Sequence, residues 1–447
     1  MAADPHRYTN PHALLTYELS QRATSGFDVS AVRQQIGPKI DELTDAEAMR
    51  WFRTLAVAPP APDWPYREPS DLAGIGIELP IGPTDLHAPG LPVHDLDGRI
   101  AGAWRGRCAG NCLGKPVERG DEWTRATLKT YLQATNNYPI NGFVDADGPL
   151  PPGMRLVGRT AETCRGHVSY VPRDDDLDYT LLAVHLLETH GTDLTTQDVA
   201  DAWVTYLPYI AACTAERAAY RNLIMGVPAE HAATKDNPYR EWIGALIRAD
   251  GFGYVWAGDP ATAARMAWRD ARLSHVGNGI YGAMWAAALV ACAFSARSLT
   301  DAYDRALLYV PARSRLAEVL SWVRELHRAG GSWESIMDLV DRRFAALPWV
   351  HVLNNAAVIA TALLTSGEDF TTAIGNTVAA GLDTDSNGAT VGSVMGGYLG
   401  DAGVPDHWTA HFNDWIHTSL SGSAFSDLTL SGVIARTHSV ARSIQRT

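Results

Sequence analysis

The sequence predicts an all-α protein. From Asp95 to about Gly400, apolar residues recur at the helical period and few segments alternate in the two-residue period of a strand. Helix-start signatures precede such stretches. Thr44-Asp45-Ala46-Glu47 is a capping box, in which hydroxyl and carboxylate satisfy free N–H groups, and Thr195-Thr196-Gln197-Asp198 opens another apolar-periodic run. The windows 279–296, 314–328 and 352–365 each read as a helix.

Taken in order, residues 1–57 read as helical. Residues 58–93 are punctuated by prolines, which helix interiors exclude, and read as a long ordered linker. The division is therefore an N-terminal helical extension and Pro-rich linker, 1–93, and a main domain, 94–447. Loops rich in Gly, Pro and Asp, such as 136–175, are long enough to build a site, and no short-period repeat is present. The stretch Gly279–Ala296 is uncharged and long enough to span a bilayer. It is mostly Ala and Gly, however, and reads better as a buried helix.

Of the 447 residues, 46% are apolar and 19% charged, which excludes disorder of the whole chain. The formal charge of −13, with no basic block, argues against nucleic acid as a partner. Five cysteines are no disulfide framework and fit a reducing compartment. The N-terminus lacks a basic region followed by an apolar run, so no signal peptide, no membrane partner and a cytoplasmic location are expected.

Three stretches carry possible chemistry. Arg173-Asp174-Asp175-Asp176-Leu177-Asp178 sets four carboxylates directly before an apolar helix. One carboxylate suits a helix N-terminus. Three in a row repel one another, and a divalent cation would remove that cost. Gly381-Leu382-Asp383-Thr384-Asp385-Ser386-Asn387-Gly388 alternates carboxylates with hydroxyls, which suits either a hard cation or ordinary turn chemistry. Only the fold can bring these two distant clusters into one Mg²⁺ or Mn²⁺ site. The third stretch has glycine at 98, 102, 106, 110 and 114 and then Lys115-Pro116-Val117-Glu118. Each Gly costs a helix about 1 kcal/mol, so the stripe needs a reason, such as close approach of another helix or a ligand.

Together, GAWRGRCAGNCLGKPVE, DDDLDYTLL and GLDTDSNGATVGSVMGGYLG resemble, in this order, the motifs of the ADP-ribosylglycohydrolase family. The resemblance covers roughly 95–400. It implies a compact multi-helix bundle around two Mg²⁺ or Mn²⁺ ions and hydrolysis at C1 of a ribosyl group in an ADP-ribosylated substrate. By the same resemblance, Asp175 and Asp176 match the first metal motif, and Asp383, Asp385 and Ser386 the second. Asp174 stands where the family has Thr or Ser, which would make the centre more negative. Glu118 and Asp176 are the expected catalytic groups. Asn111, which stands where many members have Asp, is a candidate substrate contact with Gly114 and Asp178. His275, Gly277 and Asn278 belong to a loop whose family counterpart lines the pocket, although a buried structural His is the commoner case.

The chemistry agrees with that resemblance. Ribosyl cleavage passes through an oxocarbenium-like state. Hard cations chelate vicinal hydroxyls and acidify water, and carboxylates accept the proton. The alternatives are hydrolysis of a small ADP-ribosyl or ribosyl metabolite derived from NAD, a catalytically silent ADP-ribose reader, and a binuclear phosphoesterase. Asn354-Asn355, inside an apolar helix, either bridge loops near the metals or stitch helices together, with stitching favoured. Cys108 and Cys112 have no partner pair for zinc and read as packing residues. The tryptophans of 256–268 and 404–415 read as core or pocket wall.

Overall fold

Helices dominate the described residues. The structure is a computed structural model that describes residues 6, 8–80, 82, 90–157 and 160–444. Its helices are α1 (Pro11–Thr24), α2 (Ser30–Ile36), α3 (Asp45–Ala56), α4 (Leu72–Glu78), α5 (Leu96–Gly114), α6 (Arg125–Ala134), α7 (Asp175–His190), α8 (Thr196–Tyr206), α9 (Thr214–Ile224), α10 (Ala229–Ala232), α11 (Gly244–Ile247), α12 (Asp250–Val255), α13 (Pro260–Ala271), α14 (Gly277–Ala293), α15 (Leu299–Ala306), α16 (Arg315–Arg328), α17 (Trp333–Phe344), α18 (Val352–Thr365), α19 (Phe370–Ala379), α20 (Thr384–Leu399) and α21 (Leu430–Ile444). Among the described residues, β pairing is confined to isolated bridges, such as Val171 with Ile416.

Local chemistry sets the helix starts. Thr44 and Thr195 both form complete capping boxes, with Glu47 and Asp198. The linker differs from expectation in containing α4. That helix lies in the proline-free interval between Pro69 and Pro80, capped by Asp71, whose carboxylate accepts from the Gly74 N–H at 2.8 Å. Linker residues 81 and 83–89 lie outside the described residues.

The uncharged window becomes α14, which is buried along its whole length and packs against α11, α12, α13 and α15. It is apolar all round because helices surround it. No helix among the described residues is long and apolar enough to cross a membrane. Cys108 and Cys112 are buried, unbridged packing residues on α5. Trp256 and Trp408 are core residues, whereas Trp415 is half exposed.

The N-terminal helices share a second, smaller core with the main body. Leu14, Leu15, Leu19, Phe52 and Leu55 pack with Ala215, Ala218, Tyr239 and Trp242 of the main body. A buried polar network ties the same seam. Glu241 accepts from Gln21 Nε2 at 2.6 Å, from Ser25 at 3.0 Å and from Arg315 at 2.8 Å, and Arg315 also reaches Glu68.

The pairing of α5 with α20 positions the site. Glycines on the two helices face each other: 102 with 396, 106 with 392 and 110 with 388. A Cβ on Gly110 would lie 1.9 Å from the Gly388 carbonyl, and one on Gly392 2.0 Å from the Gly106 carbonyl. The stripe therefore exists so that two backbones can touch, and side chains beyond its last turn are carried toward the start of α20.

Candidate metal centre

The acidic motifs converge at the C-terminal end of α5 and the N-termini of α7 and α20. Glu118, Asp383 and Asp385 form one carboxylate triad, and Asp174, Asp176 and Asp385 a second. Within each triad the ligand oxygens lie within 4.8 Å of one another. Asp385 belongs to both, so the triads are neighbours with one shared corner. The aspartates are buried, and Glu118 is partly exposed at the edge.

Each member has a positional cause. Asp174 caps α7, accepting from the Asp176 N–H at 3.2 Å. Asp383 occupies the N-cap position of α20, and its own N–H donates to Asn355 Oδ1 at 3.3 Å. Asn355 Oδ1 also accepts from Asn387 Nδ2 at 2.7 Å. Asn355 thus braces the second acidic motif, while Asn354 donates to the Pro348 carbonyl at 3.0 Å. Of the two roles open to this pair, Asn355 takes the one beside the acidic site and Asn354 stitches the chain locally.

Burial is the main electrostatic fact. Loss of water, followed by the Asp385 carboxylate, holds Glu118, Asp176 and Asp383 well above the usual carboxylate range. Burial raises Asp385 as well, and Lys115 opposes that rise. Buried acids in mutual repulsion need a cation or protons. Asp176 Oδ1 and Asn111 Oδ1 are also buried without a hydrogen-bond partner. An all-oxygen donor set with unsatisfied acceptors fits a hard divalent ion such as Mg²⁺ or Mn²⁺.

The remaining candidates divide. Asn111 Nδ2 donates to Asp176 Oδ2 at 3.0 Å, and the Ser386 hydroxyl approaches the same oxygen at 3.4 Å, so both adjoin the cluster. Asp175 is partly buried and stands outside both triads. Gly114 is a helix contact: a Cβ there would sit 2.2 Å from the Thr384 carbonyl. Asp178 is turned away from the triads, accepting from the Ser419 N–H at 3.0 Å and Arg173 Nε at 3.2 Å.

His275, Gly277 and Asn278 lie in the polar seam with the N-terminal helices rather than in the acidic cluster. His275 is fully buried beside the Ser274 hydroxyl (2.8 Å), and burial pushes its imidazole far below its usual range. The Gly277 N–H donates to Ser70 at 3.0 Å. Asn278 donates to Glu241 at 2.8 Å and accepts from the Leu316 N–H at 3.0 Å.

Two basic residues at the centre were not anticipated. Arg107 is buried, pairs with Asp250 and donates to the Asp176 carbonyl at 2.7 Å. Lys115 reaches the Asp174 carboxylate and donates to the Arg173 carbonyl at 3.1 Å. The expected extra negative charge from Asp174 is therefore offset by Lys115. A signal existed in the spacing: positions 107, 111 and 115 are i, i+4 and i+8 on one helix face, which puts all three side chains on the same side.

The profile of the ADP-ribosylglycohydrolase family matches residues 92–435. No curated protein matches the chain. One solved structure, described as an ADP-ribosylglycohydrolase-related protein complex, aligns over 78% of this chain and 98% of its own, at 20% identity and a TM-score of 0.47.

Proposed function

The chain belongs to the ADP-ribosylglycohydrolase family, and from that premise we propose that it is a divalent-metal-dependent hydrolase of the glycosidic bond at C1 of a ribosyl group in an ADP-ribosylated substrate. The observation that carries this reading is the pair of carboxylate triads joined at Asp385. Two adjacent oxygen-donor sites are what two Mg²⁺ or Mn²⁺ ions require. Asp174, Asp176 and Asp385 would hold one ion, Glu118, Asp383 and Asp385 the other, with Ser386 and Asp175 at their margin. Bound ions supply Lewis-acid chelation of vicinal ribose hydroxyls and an acidified water.

The chain's own groups do the rest. Glu118, the partly exposed member, accepts the proton of the attacking water. Asp176, held by Asn111 and braced through its carbonyl by Arg107, stabilises positive charge developing at the anomeric carbon. Residues 1–93 would be an accessory unit to a catalytic domain of 94–447, docked on it through the core that the N-terminal helices share with Tyr239 and Trp242.

The test is turnover with Mg²⁺ or Mn²⁺ on ADP-ribosylated proteins and on small ADP-ribosyl and ribosyl compounds, with Asp383→Ala alongside and products identified by mass. Free ADP-ribose or ribose, lost in the variant, supports the proposal and identifies the leaving group. AMP or phosphate would replace it with phosphoester cleavage. Binding of metal and ADP-ribose without turnover would make the protein a reader.

A further inference from the structure

We infer that Lys115 is the built-in countercharge of Asp174 and sets the cation affinity of the Asp174–Asp176–Asp385 triad. The inference rests on the metal-centre reading above. Three basic side chains approach the cluster: Arg107 pairs with Asp250 and also stands 4.0 Å from Asp176, Arg173 pairs with Asp178, and Lys115 pairs with Asp174. Asp250 and Asp178 lie outside both triads, so each arginine has its nearest countercharge elsewhere. Asp174 lies inside one, so the Lys115 ammonium removes a charge from the donor set itself. Glu118, Asp176, Asp383 and Asp385 remain, and four carboxylates balance two divalent ions.

The ammonium is well placed for this. The Asp174 carboxylate is buried, while the Lys115 side chain retains 22% of its exposure. Its other contact, the Arg173 carbonyl, fixes it at the mouth of α7. Its contact with the Asp174 carboxylate places its charge on the triad that contains Asp174. Lys115 follows Gly114, whose contact with Thr384 delivers it beside Asp385. Lys115 is thus a positioning and charge-setting residue that touches neither substrate nor reacting atoms.

The experiment is Mn²⁺ titration of the full chain, read by electron paramagnetic resonance of free Mn²⁺ and by calorimetry, with melting measured in metal-free buffer. Lys115→Met should bind Mn²⁺ at least about tenfold more tightly, because a like charge has left the site. It should melt lower without metal and gain more from Mn²⁺ than wild type does. Lys115→Arg should stay within about threefold of wild type. Should Lys115→Met not fold, Asp174→Thr carries the test: Mn²⁺ binding weakens at least about tenfold, and Asp174→Thr/Lys115→Met recovers most of that loss. Unchanged or weaker binding by folded Lys115→Met, or no recovery in the double variant, overturns the inference. Wild type that binds no Mn²⁺ overturns the metal-centre reading and this inference with it.

Discussion

The Thr384 hydroxyl donates to the Gly114 carbonyl at 2.8 Å, joining the last turn of α5 to the first turn of α20. On either side of that bond stand Lys115 and Asp385. The contact therefore sets the distance between the Gly-rich helix and the shared corner of both carboxylate triads.

Gly114→Ala should separate these helices. Its Cβ would lie 2.2 Å from the Thr384 carbonyl and 2.3 Å from the Asp385 nitrogen, both backbone atoms that cannot step aside. A loss of about 1–3 kcal/mol in denaturant unfolding is expected, with weakened Mn²⁺ binding. Gly142→Ala, with nothing within 4 Å of its Cβ, should stay within about 0.5 kcal/mol of wild type. Equal effects of the two substitutions would refute the steric account.

Asp385→Asn should abolish tight binding of both ions, since both triads lose a charged corner. Asp383→Asn damages one triad and should leave one Mn²⁺ bound. Counting bound Mn²⁺ per chain separates these outcomes, and equal stoichiometries in the two variants would contradict the shared-corner geometry.

Glu118→Gln keeps the shape of the side chain and removes the proton acceptor. The Asp174–Asp176–Asp385 triad should keep its Mn²⁺, the ion beside Asp383 should need more Mn²⁺ to load, and turnover at saturating metal should fall by about 10²–10⁴-fold. Normal hydrolysis by a metal-loaded Glu118→Gln protein would remove Glu118 from the base role.

Asn355→Leu leaves the Asp383 N–H and the Asn387 amide without their shared acceptor. Destabilisation of about 1–3 kcal/mol is expected, together with weaker Mn²⁺ binding, because the start of α20 carries two ligands. A thermal shift assay with and without Mn²⁺ reads both effects.

His351 contributes a pH dependence distinct from that of the carboxylates. Burial, partly offset by Glu241, lowers its pKa from the usual 6.5 to about 4. It is neutral when folded and charges more readily when unfolded, so its contribution is fully present above pH ~6.5 and lost as pH falls toward ~4. The difference amounts to at most about 3 kcal/mol. Unfolding free energy of His351→Gln against pH should be flatter than that of wild type across this window, and parallel curves would show that His351 contributes nothing there.

Much of this protein was legible from local pattern. Thr44 and Thr195 announce helices because a cap needs only residues a turn apart. The uncharged stretch near 279–296 reads as an interior helix because nothing in it requires water. The acidic motifs at 174–178 and 383–386 identify themselves by a local repulsion that invites a cation, and the family resemblance joins them. Substrate contacts were less legible. His275, Gly277 and Asn278 carry site-like chemistry, but Glu241, Ser70 and Leu316 satisfy much of it at the seam with the N-terminal helices.

The sequence alone determined the helical class, several helix starts and the two acidic motifs, because period, caps and carboxylate spacing are short-range properties. The tertiary structure alone decided which charges meet. Lys115 neutralises Asp174, Asn355 braces Asp383, and Asp385 serves two triads only after the glycines of α5 and α20 let their backbones touch. Electrostatic pairing acts through space, and partners so far apart in the chain acquire a distance only when the helices pack.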